Sequence, residues 1–121
     1  MTPPTPACRY PTFFTKALWQ RALKNNHIDN LMSHKPVVKL FQPDGPATWL
    51  ICAVDPCDPD LAFGLCDLGQ GFPELGYVRL SEIARLRGSL GLPVERECYT
   101  SLDKTLRYYC ALADRQGDLC F

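Results

Sequence analysis

The segment that most constrains this chain is Ala47-Thr-Trp-Leu-Ile-Cys-Ala-Val54, which is apolar at nearly every position. Extended, it puts Trp49, Ile51 and Ala53 on one face and Leu50, Cys52 and Val54 on the other. A strand apolar on both faces belongs in the middle of a sheet with cover on each side. The turn signal Pro43-Asp-Gly-Pro46 precedes it. Asp55-Pro-Cys-Asp-Pro-Asp60 follows and is a loop, because its prolines cannot donate to a ladder. Leu61-Ala-Phe-Gly-Leu-Cys-Asp67 alternates large with small. Leu61, Phe63 and Leu65 point one way, and the small residues opposite let a helix, another backbone or a flat ligand approach closely, a helix being the commoner neighbour. Gly69-Gln-Gly-Phe-Pro73 reads as a loop and Leu75-Gly-Tyr-Val78 as a further strand. With Val37–Phe41 upstream, these short strands and tight loops make an antiparallel meander, since parallel pairs need longer crossovers. Its buried faces account for Trp49, Phe63 and Tyr77 as core residues.

Helical spacing appears outside the meander. Phe14, Leu18 and Ala22, extended by Trp19 and Leu23, form an apolar stripe over Thr15–Lys24. Thr12 or Thr15 can cap its start, and Asn25-Asn26 suits its end. Ser81 caps a short helix over Glu82–Arg87, stopped by Gly88. Pro93–Tyr99 is a charged edge strand. A last helix starts near Asp103, carries Leu106, Tyr109, Cys110 and Ala113 at helical spacing, and ends at Gly117. The expected architecture is α+β: a small antiparallel sheet of four to five strands, an N-terminal helix, a short helix near 81–87, and a C-terminal helix packed on the sheet.

The length of 121 residues fits one domain, here 13–117, after a disordered Pro-rich lead-in at 1–12 and before a tail at 118–121. With 46% hydrophobic and 21% charged residues, the composition is that of a globular protein. No apolar run approaches the roughly 18 residues of a membrane helix. The first residues lack the basic and apolar regions of a signal peptide. A cytoplasmic protein without a membrane partner is therefore expected. The seven cysteines (Cys8, Cys52, Cys57, Cys66, Cys98, Cys110 and Cys120) form no Cys-x-x-Cys pair, and His27 and His34 lie far from them in sequence. That spacing does not suit a structural zinc site. Reduced core or surface thiols are expected, with Cys120 the most exposed.

The net charge of zero hides an asymmetry. Residues 1–40 carry six basic residues against Asp29, a net of +5, while residues 41–82 carry seven acidic residues against Arg79, a net of −6. Such a split marks either a binding surface or a basic helix packed beside acidic loops. No phosphate loop and no Gly-x-Ser-x-Gly elbow is present. A Cys–His nucleophile would need Cys57, Cys66 or Cys98 to meet a histidine of the 27–34 connection. The acidic set Asp55, Asp58, Asp60, Asp67 and Glu74 is the strongest chemical feature. It can serve as turn-capping carboxylates, as oxygen ligands of a hard cation, or as a surface that meets a basic partner or imitates DNA phosphates. For calcium the spacing lacks the loop glycine and the distal glutamate. Lys16, Arg21, Lys24, Lys35 and Lys39 form an alternative nucleic-acid face, with Trp19 and Tyr10 as stacking aromatics.

Longer motifs add a resemblance. Pro36-Val-Val-Lys-Leu-Phe41, Ala47-Thr-Trp-Leu50, Asp58-Pro-Asp-Leu-Ala-Phe-Gly-Leu-Cys-Asp-Leu-Gly69, Pro73-Glu-Leu-Gly-Tyr-Val78, Leu86-Arg-Gly88 and Leu90-Gly-Leu-Pro-Val-Glu-Arg96 are the residues that carry it. Over roughly 13–100 the chain resembles a family of small proteins of bacterial plasmids and conjugative elements, described as a domain of unknown function. The resemblance implies a setting among conjugation, plasmid-maintenance and anti-restriction functions, and brings no catalytic residues with it. The resulting expectation is a non-enzymatic accessory protein of a mobile genetic element with no metal or other cofactor. It binds a host or element protein through Asp55, Asp58, Asp60, Asp67 and Glu74, one form being inhibition of a CRISPR or restriction complex. A DNA-binding helper using the basic face and a small metal-dependent enzyme are the alternatives.

Overall fold

The computed structural model describes residues 13–25, 31–98 and 101–117 of the chain. The 1–12 lead-in with Cys8 and Tyr10, Asn26, His27, Tyr99, and the 118–121 tail with Cys120 lie outside the described residues.

The doubly apolar segment takes the central place that its composition requires. It forms β2 (Thr48–Val54), buried at six of seven positions. The sheet runs β4-β3-β2-β1-β5, every neighbour antiparallel, with β1 (Val38–Phe41), β3 (Leu61–Asp67), β4 (Glu74–Arg79) and β5 (Glu95–Arg96). The meander β1–β4 is thus extended at the β1 side by β5, the short remnant of the expected 93–99 strand. Two cores cover its two faces. α1 (Lys16–Asn25) and α2 (Leu80–Arg85) bring Trp19, Ala22, Leu80 and Ile83 against Trp49, Ile51 and Val54. α3 (Leu106–Gln116) brings Leu106, Tyr109 and Ala113 against Leu50, Cys52 and Leu65. Among the described residues, no helix is long and apolar enough to cross a membrane.

Simple alternation fails once along β2. Its register with β3 shifts between Ile51 and Ala53, which makes Cys52 the extra residue of a bulge. The extra residue turns Val54 to the face of Trp49 and Ile51, where strict alternation puts it on the other. The Cys52 carbonyl accepts a 2.9 Å hydrogen bond from Asn25 Nδ2, which ties the end of α1 to the bulge. Opposite it, Gly64 pairs with Ile51. A Cβ on Gly64 would enter the Leu50 carbonyl and stand 3.0 Å from Ile51 Cα. The close neighbour at this small residue is therefore strand backbone, where a helix was the expected one.

Helix boundaries also have local causes. Thr15 Oγ1 accepts from Leu18 N–H at 3.2 Å at the start of α1. α3 starts three residues after the expected Asp103 because Thr105 is its cap, accepting from Tyr108 N–H. It ends at Gly117 in the left-handed region, φ 80°. α2 departs from expectation at both ends. Ser81 lies inside it, and the residue before it, Arg79, makes no side-chain cap. Its last residue is Arg85, and Leu86 is already extended. Gly88 has a different use: a Cβ there would collide with the Asp44 carboxylate. Asp44 Oδ2 accepts from Leu90 N–H (2.7 Å) and Leu92 N–H (3.1 Å), which fixes the turn that leads into β5.

Candidate functional site

The five acidic residues singled out in the sequence are brought to one end of β3 or the other, and four of them are used by the fold. Asp55 Oδ1 accepts from Cys57 N–H at 2.8 Å, closing a turn within the 55–60 loop. Asp67 Oδ1 does the same for Gly69 N–H at 2.8 Å, in the loop after β3. Asp58 Oδ2 accepts from Arg79 Nη1 at 2.9 Å. That hydrogen bond is the first cause holding the guanidinium above its ordinary pKa.

Asp60 performs the capping that the sequence assigned to Ser81. Its Oδ1 accepts from Ser81 N–H (2.8 Å) and its Oδ2 from Ser81 Oγ–H (2.7 Å), while its carbonyl accepts from Leu80 N–H (2.8 Å). Arg79 Nη1 stands 3.8 Å from the same carboxylate. Sequence proximity favoured Ser81, but a residue 21 positions upstream reaches the first turn of α2 because β3 returns its loop beside the end of β4. Glu74, exposed at the start of β4, is the remaining member; its charge adds to burial in pushing the Cys66 thiol up to about 11.

Of the basic set, Lys16, Arg21, Lys24 and Lys35 are exposed. Lys39 is not: it lies in β1 at 8% exposure, opposite Leu50 of the α3-side core, and is removed from any exposed face. Trp19 does not supply a stacking surface, since it is buried edge-on against Phe14 at 5.0 Å between ring centroids. Cys52 is fully buried, with its thiol pushed up to about 11 by burial, while Cys57 and Cys98 are exposed. Among the described residues, no group of three or more His, Cys, Asp or Glu is placed to hold a metal ion.

Sequence reasoning missed a surface at the other side of β3. Among the described residues β4 is a sheet edge, with a neighbour on one side only. Tyr77, expected in the core, is 62% exposed for that reason. It keeps one aromatic contact, edge-on to Phe63 at 5.2 Å. Leu75 and Tyr77 pair with Leu65 and Phe63, so they extend the α3-side apolar face beyond the area that α3 covers. Leu68 and Phe72, the latter 79% exposed, continue the apolar surface into the β3–β4 loop. A small cavity of ≈ 220 Å³ lined by Cys66, Leu68, Gln70, Phe72 and Glu74 opens there. The available signal was the strand's composition: Glu74-Leu-Gly-Tyr-Val-Arg79 is too polar at its ends and too glycine-rich for a central strand, yet it carries no lysine or proline to guard an edge.

No curated protein and no solved structure matches the chain. One family model does, over residues 13–120, which includes every residue described above. The chain thus belongs to the protein family of unknown function DUF2958.

Proposed function

We propose that the protein is a non-enzymatic interaction module that binds a protein partner along β4 and the β3–β4 loop. The observation that carries this reading is the bare edge of β4, flanked by exposed Leu68, Phe72, Leu75 and Tyr77. An open strand edge offers unpaired backbone groups, and an extended segment of the partner adds to it as a further strand. Apolar side chains of that segment cover Leu75 and Tyr77, and a basic residue sits beside Glu74. The carboxylates Asp55, Asp58, Asp60 and Asp67 support this surface by holding its loops and α2 in place; Glu74 is the acidic residue that meets the partner. In the setting of a plasmid or conjugative element, the partner is a host-defence or element protein, a CRISPR or restriction complex among them.

The test is recovery of partners from the host by tagged protein, compared across wild type and three variants. Wild type is expected to retain a protein that Phe72→Asp and Tyr77→Lys both lose and that Lys16→Glu with Lys24→Glu keeps. Retention by the two β4-side variants overturns the proposal. Loss only with the lysine changes, together with recovery of DNA, supports the nucleic-acid alternative in its place.

A further inference from the structure

The opposite edge of the sheet carries a second, chemically different groove. A cleft of ≈ 540 Å³ lies between the end of α2, the 87–93 turn and β5, with Phe13 and Val94 in its floor. A second cleft of ≈ 300 Å³ continues toward α1. Arg96 and Cys98 line both, so the two form one path with Arg96 at its middle, Arg87 at one end and Arg21 at the other. Among the described residues β5 has β1 as its neighbour on one side only, and no strand pairs with its outer backbone along the same path.

The charges of the path are ordered by the strand. Arg96 pairs with Leu40 and Glu95 with Phe41. Leu40 belongs to the core under α1 and α2, so Arg96 projects to that side and Glu95 to the other by alternation. Arg87 Nη1 is anchored on the Ala84 (3.0 Å) and Leu86 (2.8 Å) carbonyls, an arrangement that fixes the guanidinium without neutralising it. Among the described residues, no carboxylate is within ion-pair distance of Arg21, Arg87 or Arg96. Arg21, Arg87 and Arg96 therefore stand along a groove that Glu95 and Glu97 also line, so its lining is mixed and net positive. That pattern suits carboxylates, which accept bidentate hydrogen bonds from arginine.

We infer that this groove binds an extended acidic peptide, added to the free side of β5, with alternate carboxylates reaching Arg96 and its neighbours. A single-stranded nucleic acid fits less well. Such ligands are held by exposed aromatics on which bases stack, whereas Phe13, the aromatic in the groove, is 6% exposed and Trp19 of the adjacent helix 7%. Val37, Val38, Pro93 and Val94 give the groove aliphatic surface that suits the apolar side chains alternating with carboxylates in a strand.

The test uses a fluorescein-labelled decapeptide of alternating valine and glutamate, read by anisotropy on the full chain. The expected result is saturable binding that weakens as salt rises from about 50 to about 300 mM. The valine–lysine counterpart does not bind. Arg96→Gln weakens binding about ten-fold, the loss of one desolvated charge-assisted contact. Phe72→Asp leaves it unchanged, so this site and the β4 surface fail or succeed separately. No saturable binding of the acidic peptide, equal binding by Arg96→Gln with an unchanged unfolding curve, or binding of a labelled oligothymidylate in place of the peptide each overturns the inference.

Discussion

Replacing Asp60 by alanine removes the carboxylate that starts α2, and the structure sets the cost. α2 has six residues, far below the length at which a helix persists alone, so its first turn depends on outside partners and on burial of Leu80 and Ile83. Asp60→Ala removes the acceptors of both Ser81 N–H and Ser81 Oγ–H. Loss of a helix cap costs about 1 kcal/mol, within a range of about 0.5–2. The Arg79 contact at 3.8 Å joins side chains that are 45% and 36% exposed, so it adds little. The expected total is about 1–2 kcal/mol. Urea unfolding read by fluorescence of the buried Trp19 and Trp49 measures it, with the denaturant slope unchanged. Ser81→Ala is the discriminating control. It removes the hydroxyl bond and keeps the N–H bond, so it should cost clearly less than Asp60→Ala. Equal costs for the two, or a change below about 0.3 kcal/mol in Asp60→Ala, would refute the assignment of the cap to Asp60.

Two further outcomes follow from the core. Gly64→Ala drives a methyl into the Leu50 carbonyl, which cannot rotate away as a side chain can; a loss of about 3 kcal/mol or more is expected in the same unfolding assay, and tolerance of alanine would remove the close approach of β2 and β3. Burial holds the Cys52 thiol at about 11 against an ordinary 9.0. The folded state thus keeps its proton longer than the unfolded state, and the stability from this thiol is whole below pH 9 and lost as pH rises toward 11. Thiol titration at mild alkaline pH should label exposed Cys57 and Cys98 first and Cys52 only on unfolding, whereas labelling of Cys52 at the same rate would refute its burial.

Much of the architecture was legible because one segment dictated it. β2 cannot bury both faces without strands beside it and helices above and below, and the short loops left only antiparallel pairing. What escaped was set by contacts distant in sequence. The bulge at Cys52 moves Val54 to the other face, and no local residue pattern marks it. Asp60 displaces Ser81 as the cap because the 55–60 loop is carried back beside α2, a relation of tertiary geometry. Lys39 was read as surface from its charge alone, although its register puts it opposite Leu50 on the α3-side face of the sheet. Tyr77 was read as core from its apolarity, although its strand ends the sheet.

The charge asymmetry shows how the two edges come to differ. The acidic segment looks like a binding surface when its carboxylates are counted, but most of that charge is used internally. Asp58 and Asp60 meet Arg79, the one basic residue of 41–82, and Asp55 and Asp67 meet backbone N–H groups. These bonds hold the loops on both sides of β3 and leave β4 with an exposed surface that is mainly apolar. Arg21 differs: it stands beside the β5 groove with Arg87 and Arg96 and, among the described residues, no carboxylate lies at ion-pair distance from these three. An apolar edge at one side and a guanidinium-lined edge at the other are recognised by different chemistry. The two proposed sites therefore call for different partners, and the β4 and Arg96 variants separate their contributions.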